Sequence, residues 1–180
     1  MPSGLTTVLG IDPGVSETGW AVLRAADGPQ PRLAASGIIR TQPATALPER
    51  LRLIHEAVSG LIARHRPDAA AIEEMFFLKA AHTIRGTLQA RGVVLLAAAQ
   101  ARIHISEYNP RTVKATLTGS GTADKAQMQR VVSKTLGLDD LLRPDDVADA
   151  AAIGLCHLRS SRIKRLRVLE CYGAASGGGR

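Results

Sequence analysis

The sequence predicts an α/β fold: a five-stranded mixed central sheet, three antiparallel strands and then parallel ones, flanked by helices. Three observations lead there. Residues 6–11 are β-branched and apolar, the signature of a central strand buried on both faces. Two more strand-like runs follow across short turn signals, as in an antiparallel meander. From residue 47 onward, segments with a helical period alternate with short apolar runs, the pattern that lays crossover helices on a parallel sheet.

The first strand, 6–11, stops at Asp12, and Pro13-Gly14 turns the chain at once. Residues 18–23 form the second strand, Asp27-Gly28-Pro29 breaks it, and 33–41 form the third. A helix is predicted over 47–65, because Leu47, Leu51, Ile54, Val58 and Leu61 make one apolar stripe with Arg50, Arg52, Arg64 and Arg66 off it. Pro67-Asp68 ends that helix. Residues 69–72 are a fourth strand that also stops at a carboxylate, Glu73, and 74–80 have no period and read as a loop. The helix over 83–101 is so apolar along 93–99 that burial all round is expected, in the core or at a subunit interface. Residues 103–108 are the fifth strand. Asn109 as N-cap and Pro110 at N1 open a short helix with Val113 and Leu117 on one face, ending near Gly119. A further helix over 123–136 turns Met128, Val131, Val132 and Leu136 inward and is capped by Gly137. Arg143-Pro144 opens the last helix, expected to run to about residue 160. No repeat or linker divides the chain, so 1–160 read as one domain and 161–180 as a basic, Gly-rich tail whose end is expected to be disordered.

Of the 180 residues 45% are hydrophobic but only 3% aromatic, so the core has to be aliphatic. The net charge of +7 and a pI near 10.1 call for a polyanionic partner, nucleic acid or an anionic membrane. The membrane is excluded as a reading. The longest apolar run, 93–99, falls far short of the ~20 residues that span a bilayer, and no basic amphipathic helix carries large apolar anchors. Cys156 and Cys171 form neither a CxxC pair nor a disulfide framework, which suits a reducing compartment. With no signal-peptide pattern at the N-terminus, a cytoplasmic location is expected.

The chemistry lies in the carboxylates. If the first and fourth strands are neighbours, Asp12 and Glu73 end side by side. Asp146 and Asp149 are three apart on the last helix and so share a face. Asp149 sits in Val147-Ala148-Asp149-Ala150-Ala151-Ala152-Ile153, where a buried charge without a partner would cost several kcal/mol. Taken singly, Asp12, Glu73 and Asp146 have ordinary explanations, a turn, a strand end and the first turn of a helix, where the macrodipole favours acids; Asp149 has the least ordinary one. Four that converge in a basic protein need cations. Two Mg²⁺ would balance them, with Mn²⁺ an alternative, and such a pair serves phosphodiester hydrolysis. No His or Cys cluster offers a zinc site.

Gly10-Ile11-Asp12-Pro13-Gly14 with Thr18-Gly19, then Ala71-Ile72-Glu73-Glu74, then Asp146-x-x-Asp149-Ala150, resembles the RuvC family of bacterial Holliday-junction resolvases, with an RNase H-like fold. The likeness extends from residue 6 to about 158. It implies that Asp12, Glu73, Asp146 and Asp149 are the catalytic metal ligands. Within the family the third position can also be His. Asp145, four residues before Asp149, could reach the same face; spacing favours Asp146. The resemblance further implies in-line attack by water that leaves a 5′-phosphate and a 3′-hydroxyl, with four-way junction DNA as substrate. A RuvA–RuvB branch-migration complex is an implied partner. Two symmetric nicks from chains with one site each imply a twofold homodimer, for which the helix over 83–101 is the candidate interface.

Four residues are candidates for DNA binding. Phe76, adjacent to Phe77 in the loop after Glu73, could stack on unpaired bases, a contact worth ~1–3 kcal/mol per base; a hydrophobic plug of the loop is the plainer role. Lys114, in Asn-Pro-Arg-Thr-Val-Lys, and Lys125, behind Gly119-Ser120-Gly121-Thr122 near a helix N-terminus, could take phosphate. The resemblance favours Phe76 and both lysines in these roles. Arg111 is a weaker candidate, as is Lys79. Two other classes compete. Gly-Ile-Asp-Pro-Gly with Thr-Gly is also similar to the phosphate-binding turn of actin-like and sugar-kinase ATPases, but 180 residues leave little room for an adenosine-binding lobe. A non-catalytic DNA-binding module would gain by losing acids that face phosphate. A sister nuclease acting on RNA–DNA hybrids is the nearest alternative.

Overall fold

The computed structural model describes residues 6–25, 30–74 and 81–176, with side chains described up to residue 161 apart from 81–84. Three antiparallel strands come first: β1 (Thr6–Asp12), β2 (Glu17–Ala25) and β3 (Arg32–Arg40). Helix α1 (Leu47–His65) then returns the chain to β4 (Ala69–Glu73), and α2 (Ala81–Gln100) returns it to β5 (His104–Tyr108). Helices α3 (Pro110–Thr118), α4 (Lys125–Leu136) and α5 (Asp145–Ser176) complete the order. The sheet runs β3-β2-β1-β4-β5, with β1 parallel to β4 and β4 parallel to β5. This is the predicted mixed five-stranded sheet of an RNase H-like fold.

Strand alternation divides the core in two. Leu9, Ile11, Val22 and Ile72 face α1 and α2, where Ile54, Val58 and Val94 meet them, all fully buried. Val8, Ala21, Leu23 and Ala71 face the opposite way, under Ala150, Ala151, Ile153 and Leu155 of α5 and flanked by α3 and α4. Helix α1 has its predicted limits. The proline behind it prevents continuation, and the C-cap Arg66 takes the left-handed conformation (φ 44°), its N–H bonding to Ile62 O. Asn109 caps α3 by accepting from Arg111 N at 2.8 Å. Helix α4 opens with a capping box between Asp124 and Gln127, which starts it later than the sequence suggested.

One expectation is corrected and one is narrowed. Within a single chain helix α2 is not buried all round, which leaves the subunit interface of the two alternatives. Ala90, Val94, Ala97 and Ala98 pack inward, but Leu96 is 51% exposed and Gly92 faces open space. Within one chain α2 therefore buries one side against the sheet and α1 and leaves the other side open. Helix α5 does not stop near residue 160 but continues to Ser176. Between Leu155 and Tyr172 there is no glycine or proline, so nothing in the local chemistry ends it. Among the described residues no helix is long and apolar enough to cross a membrane.

Candidate active site

The register of the sheet places the first two acids. Ile11 of β1 pairs with Ile72 of β4, so Asp12 and Glu73 leave adjacent parallel strands at the same level. Both alternate with residues that face α1 and α2, and so both belong to the α5 face. Parallel strands supply such an edge because their C-terminal ends lie together.

Helix α5 supplies the other two, and glycines set its height. A Cβ at Gly10 would lie 2.1 Å from Ala150 O, and one at Gly19 would lie 2.1 Å from Asp146 O and 2.9 Å from Asp146 Cβ. Gly19 is the cross-strand partner of Asp12. Bare backbone on β1 and β2 therefore lets the first two turns of α5 lie directly on the sheet beside Asp12. The chain segment Gly-Ile-Asp…Thr-Gly is a packing surface as much as a set of functional groups.

Electrostatics report how close the acids are. Burial first, and then the charges of Asp149, Glu73 and Asp146, push the Asp12 carboxyl from 3.8 up to about 7, with Lys125 pulling the other way. Glu73 is raised by burial and by Asp149, and lowered by Lys114 and Arg91. Asp149 is raised by burial, relieved by Lys125 and Lys114, and raised again by Asp146 and Asp145. The four predicted acids thus share one field, and the two predicted lysines stand in it. Lys114 is half-buried on α3, and Lys125 opens α4 with its Nζ 2.8 Å from Asp145 Oδ2.

Asp145 is turned to other uses. It accepts from Gln129 at 2.7 Å as well as pairing with Lys125, and these partners hold its carboxyl below the usual range. Asp146 is the acid on the Asp12 side, over Gly19. It is raised by burial and by Glu17, with which it shares a side-chain hydrogen bond. Glu17 also pairs with Arg40 at 2.9 Å. Sequence reasoning missed Glu17, since an acid at the exposed start of an edge-side strand carries no local signal. It also missed Arg91, a buried guanidinium that donates to Glu73 O and to Glu107 and so fixes the end of β4. A lone arginine on the inner side of an apolar helix was the clue available. Arg111 is exposed at the start of α3, its Cβ beside Gly121. Phe76, Phe77 and Lys79 lie outside the described residues.

Among the described residues no three His, Cys, Asp or Glu side chains form a ready-made metal cage. The donor set nevertheless fits a hard divalent cation. It consists of carboxylate oxygens, mutual repulsion and burial leave them short of positive charge, and among the described residues the cations that act on them are Lys114, Lys125 and Arg91. An RNase H-like sheet with acids gathered at the ends of its central parallel strands, and lysines facing them, defines a metal-dependent nuclease.

Comparison with known proteins gives the particular family. Residues 8–157 match the family described as "Crossover junction endodeoxyribonuclease RuvC". The chain is 42% identical to the RuvC of Salinispora arenicola over 96% of its own length and 99% of that relative. It superposes on the Thermus thermophilus RuvC structure with a TM-score of 0.82 at 36% identity, covering 88% of this chain and 97% of that one. A structure of T. thermophilus RuvC in complex with a Holliday junction substrate matches with a TM-score of 0.81 at 33% identity, covering 88% and 96%. The chain belongs to the RuvC family of crossover junction endodeoxyribonucleases. It is an endodeoxyribonuclease whose chemistry depends on a divalent metal.

Proposed function

We propose that this enzyme resolves four-way DNA junctions by paired symmetric nicks, in recombination and repair, and that Asp12, Glu73, Asp146 and Asp149 hold two Mg²⁺ ions at each site. The observation that carries it is the common field of the four carboxylates with Lys114 and Lys125 beside them. Two bound ions, Mg²⁺ or Mn²⁺, would supply the charge that activates an attacking water and stabilises the leaving oxygen. The chain's own residues do the rest. Asp12, raised to about 7, carries a proton for much of the time at neutral pH and gives it up when positive charge arrives. Lys114 faces the scissile phosphate from α3.

Lys125 is held by Asp145 through an exposed ion pair, which solvent screening keeps weak. A DNA phosphate can therefore take Lys125 over at small cost. Arg111 at the start of α3 tracks the adjoining backbone, and Phe76 stacks on an unpaired base at the branch. That stacking favours a junction over plain duplex, whose bases already have neighbours.

One site per chain and two cuts per junction call for a twofold dimer. Arg85, Gly92, Leu96 and Ala99 lie exposed on one side of α2 at spacings of 7, 4 and 3. A second copy packed there would cover Leu96. Leu96→Arg is expected to turn a dimer into a monomer in analytical ultracentrifugation at micromolar protein, and to replace paired nicks by single ones. A dimer that persists unchanged would move the interface elsewhere. A RuvA–RuvB complex that delivers the junction is the partner that family membership favours.

The assay that tests the function offers a synthetic four-way junction, a linear duplex and an RNA–DNA hybrid to the native chain with Mg²⁺, Mn²⁺ or EDTA. Paired symmetric nicks confined to the junction and lost in EDTA are expected. Cutting confined to the hybrid would make this a sister nuclease, and junction binding without cleavage under any metal would make it a binding module.

A further inference from the structure

Behind the acids, a buried polar cluster joins three elements that the reaction does not account for. The Tyr108 hydroxyl and His157 Nδ1 are 3.0 Å apart, with the two rings edge to face at 5.9 Å and 87°. Ser161 Oγ lies 3.3 Å from His157 Nε2, and His157 is only 8% exposed. Two residues beyond His157 on α5, Arg159 Nη1 donates to Thr116 O at 2.8 Å and to Leu117 O at 3.3 Å. The Thr116 side chain in turn bonds to Cys156.

The Arg159 and Cys156 contacts join α5 to α3. That helix has nine residues and buries only Val113 and Leu117, so it is too short to hold itself in place. Its last carbonyls have no partners within the helix. The Arg159 guanidinium fills two of them with charge-assisted bonds, which exceed neutral ones in strength. Lys114 stands one turn earlier on the same helix, in the field of Glu73 and Asp149. The other end of the cluster reaches Glu73 as well. Tyr108 is its register partner on β5, and Tyr108 O accepts from Glu74 N at 2.8 Å.

Arg159 cannot touch the reacting phosphate itself. It lies ten residues along α5 from Asp149, about 15 Å at 1.5 Å per residue. We propose that Arg159 is a positioning residue: it clamps the C-terminal end of α3 onto α5 and so sets Lys114 at its working distance from Glu73 and Asp149. The proposal rests on the junction-cleaving function argued above.

The test is a double-mutant cycle on junction cleavage under single-turnover conditions. Arg159→Met and Arg159→Lys are each made in the native chain and in Lys114→Ala, with junction Kd, melting temperature and hydrogen exchange of α3 measured alongside. In the native background Arg159→Met is expected to slow cleavage about 10- to 100-fold, the scale of a misplaced group about 1 Å out of position. Junction Kd stays nearly constant, and amide protection falls in α3 but not in α1. Arg159→Lys, which keeps the charge and one bond, recovers part of the rate. In Lys114→Ala the same change has little further effect, because no lysine remains to be positioned.

Equal losses in both backgrounds, or α3 protection that does not change, would reduce Arg159 to a helix cap and overturn the proposal. If Arg159→Met does not fold, the Arg159→Lys arm of the cycle gives the same discrimination. A native chain that leaves the junction uncut overturns the function itself, and the proposal with it, before any variant is compared.

Discussion

Asp12→Asn is expected to suppress cleavage and at the same time to raise the melting temperature of the metal-free protein. The two effects have one cause. Asp12 is raised to about 7 because burial and three other carboxylates oppose its charge. Its ordinary value, 3.8, is that of the unfolded chain. Between those values the folded state binds the proton and the unfolded state does not, so stability falls as pH rises from about 4 to about 7 and stays low above that. A gap of this size corresponds to an upper bound of about 4 kcal/mol.

Asparagine has nothing to ionise. The variant is expected to gain roughly 2–4 kcal/mol at neutral pH, several degrees in melting temperature, and to lose most of the pH dependence. Cleavage falls on the order of 10³-fold or more, about 4 kcal/mol of transition-state stabilisation. Thermal melts of both proteins from pH 4 to 8 in EDTA, with a junction assay in Mg²⁺, check the pair of effects. Saturating Mg²⁺ should restore stability to the native protein above pH 7 and do less for the variant. A variant no more stable than the native chain would mean that Asp12 is not under the repulsion described.

The second large effect concerns the backbone that brings the acids together. Gly10→Ala is expected to destabilise the protein by about 3 kcal/mol or more, at the upper end of overpacking, and to reduce cleavage with it. The new methyl group would meet Ala150 O, a backbone atom that cannot yield without lifting α5 from the sheet. Lifting α5 moves Asp149 away from Asp12. Gly154→Ala is the control. Its Cβ would approach Leu23 Cδ1 at 2.8 Å, the tip of a side chain that can rotate, so about 1 kcal/mol is expected and little change in cleavage. Urea unfolding of both variants separates the two cases. Equal effects would show that α5 has freedom to shift without disturbing the site.

Much of this protein could be read from its residues one stretch at a time. The limits of α1, the caps of α3, and the strands that end in Asp12 and Glu73 follow from local periods, prolines and capping groups, which act over a few residues. Asp149 stood out because an acid among six apolar neighbours has no local reason to be there. The family likeness of Gly-Ile-Asp-Pro-Gly, Ile-Glu-Glu and Asp-x-x-Asp belongs to the same layer, since order along the chain carries it.

The tertiary structure decided what local chemistry leaves open. Asp145 and Asp146 are adjacent and chemically alike. Only the placement of α4 on α5, which brings Lys125 and Gln129 to Asp145, and the height of α5 over Gly19, which brings Asp146 toward Asp12, separate their surroundings. The open side of α2 follows from how much sheet there is to cover, a property of the assembled layers. Glu17, Arg91 and the Tyr108–His157–Arg159 cluster gain their significance from partners at least 16 residues away along the chain. Propensities and caps sum over neighbours in sequence, whereas a carboxylate's field and a buried donor's partner depend on distance in space, which strand register and helix packing alone determine.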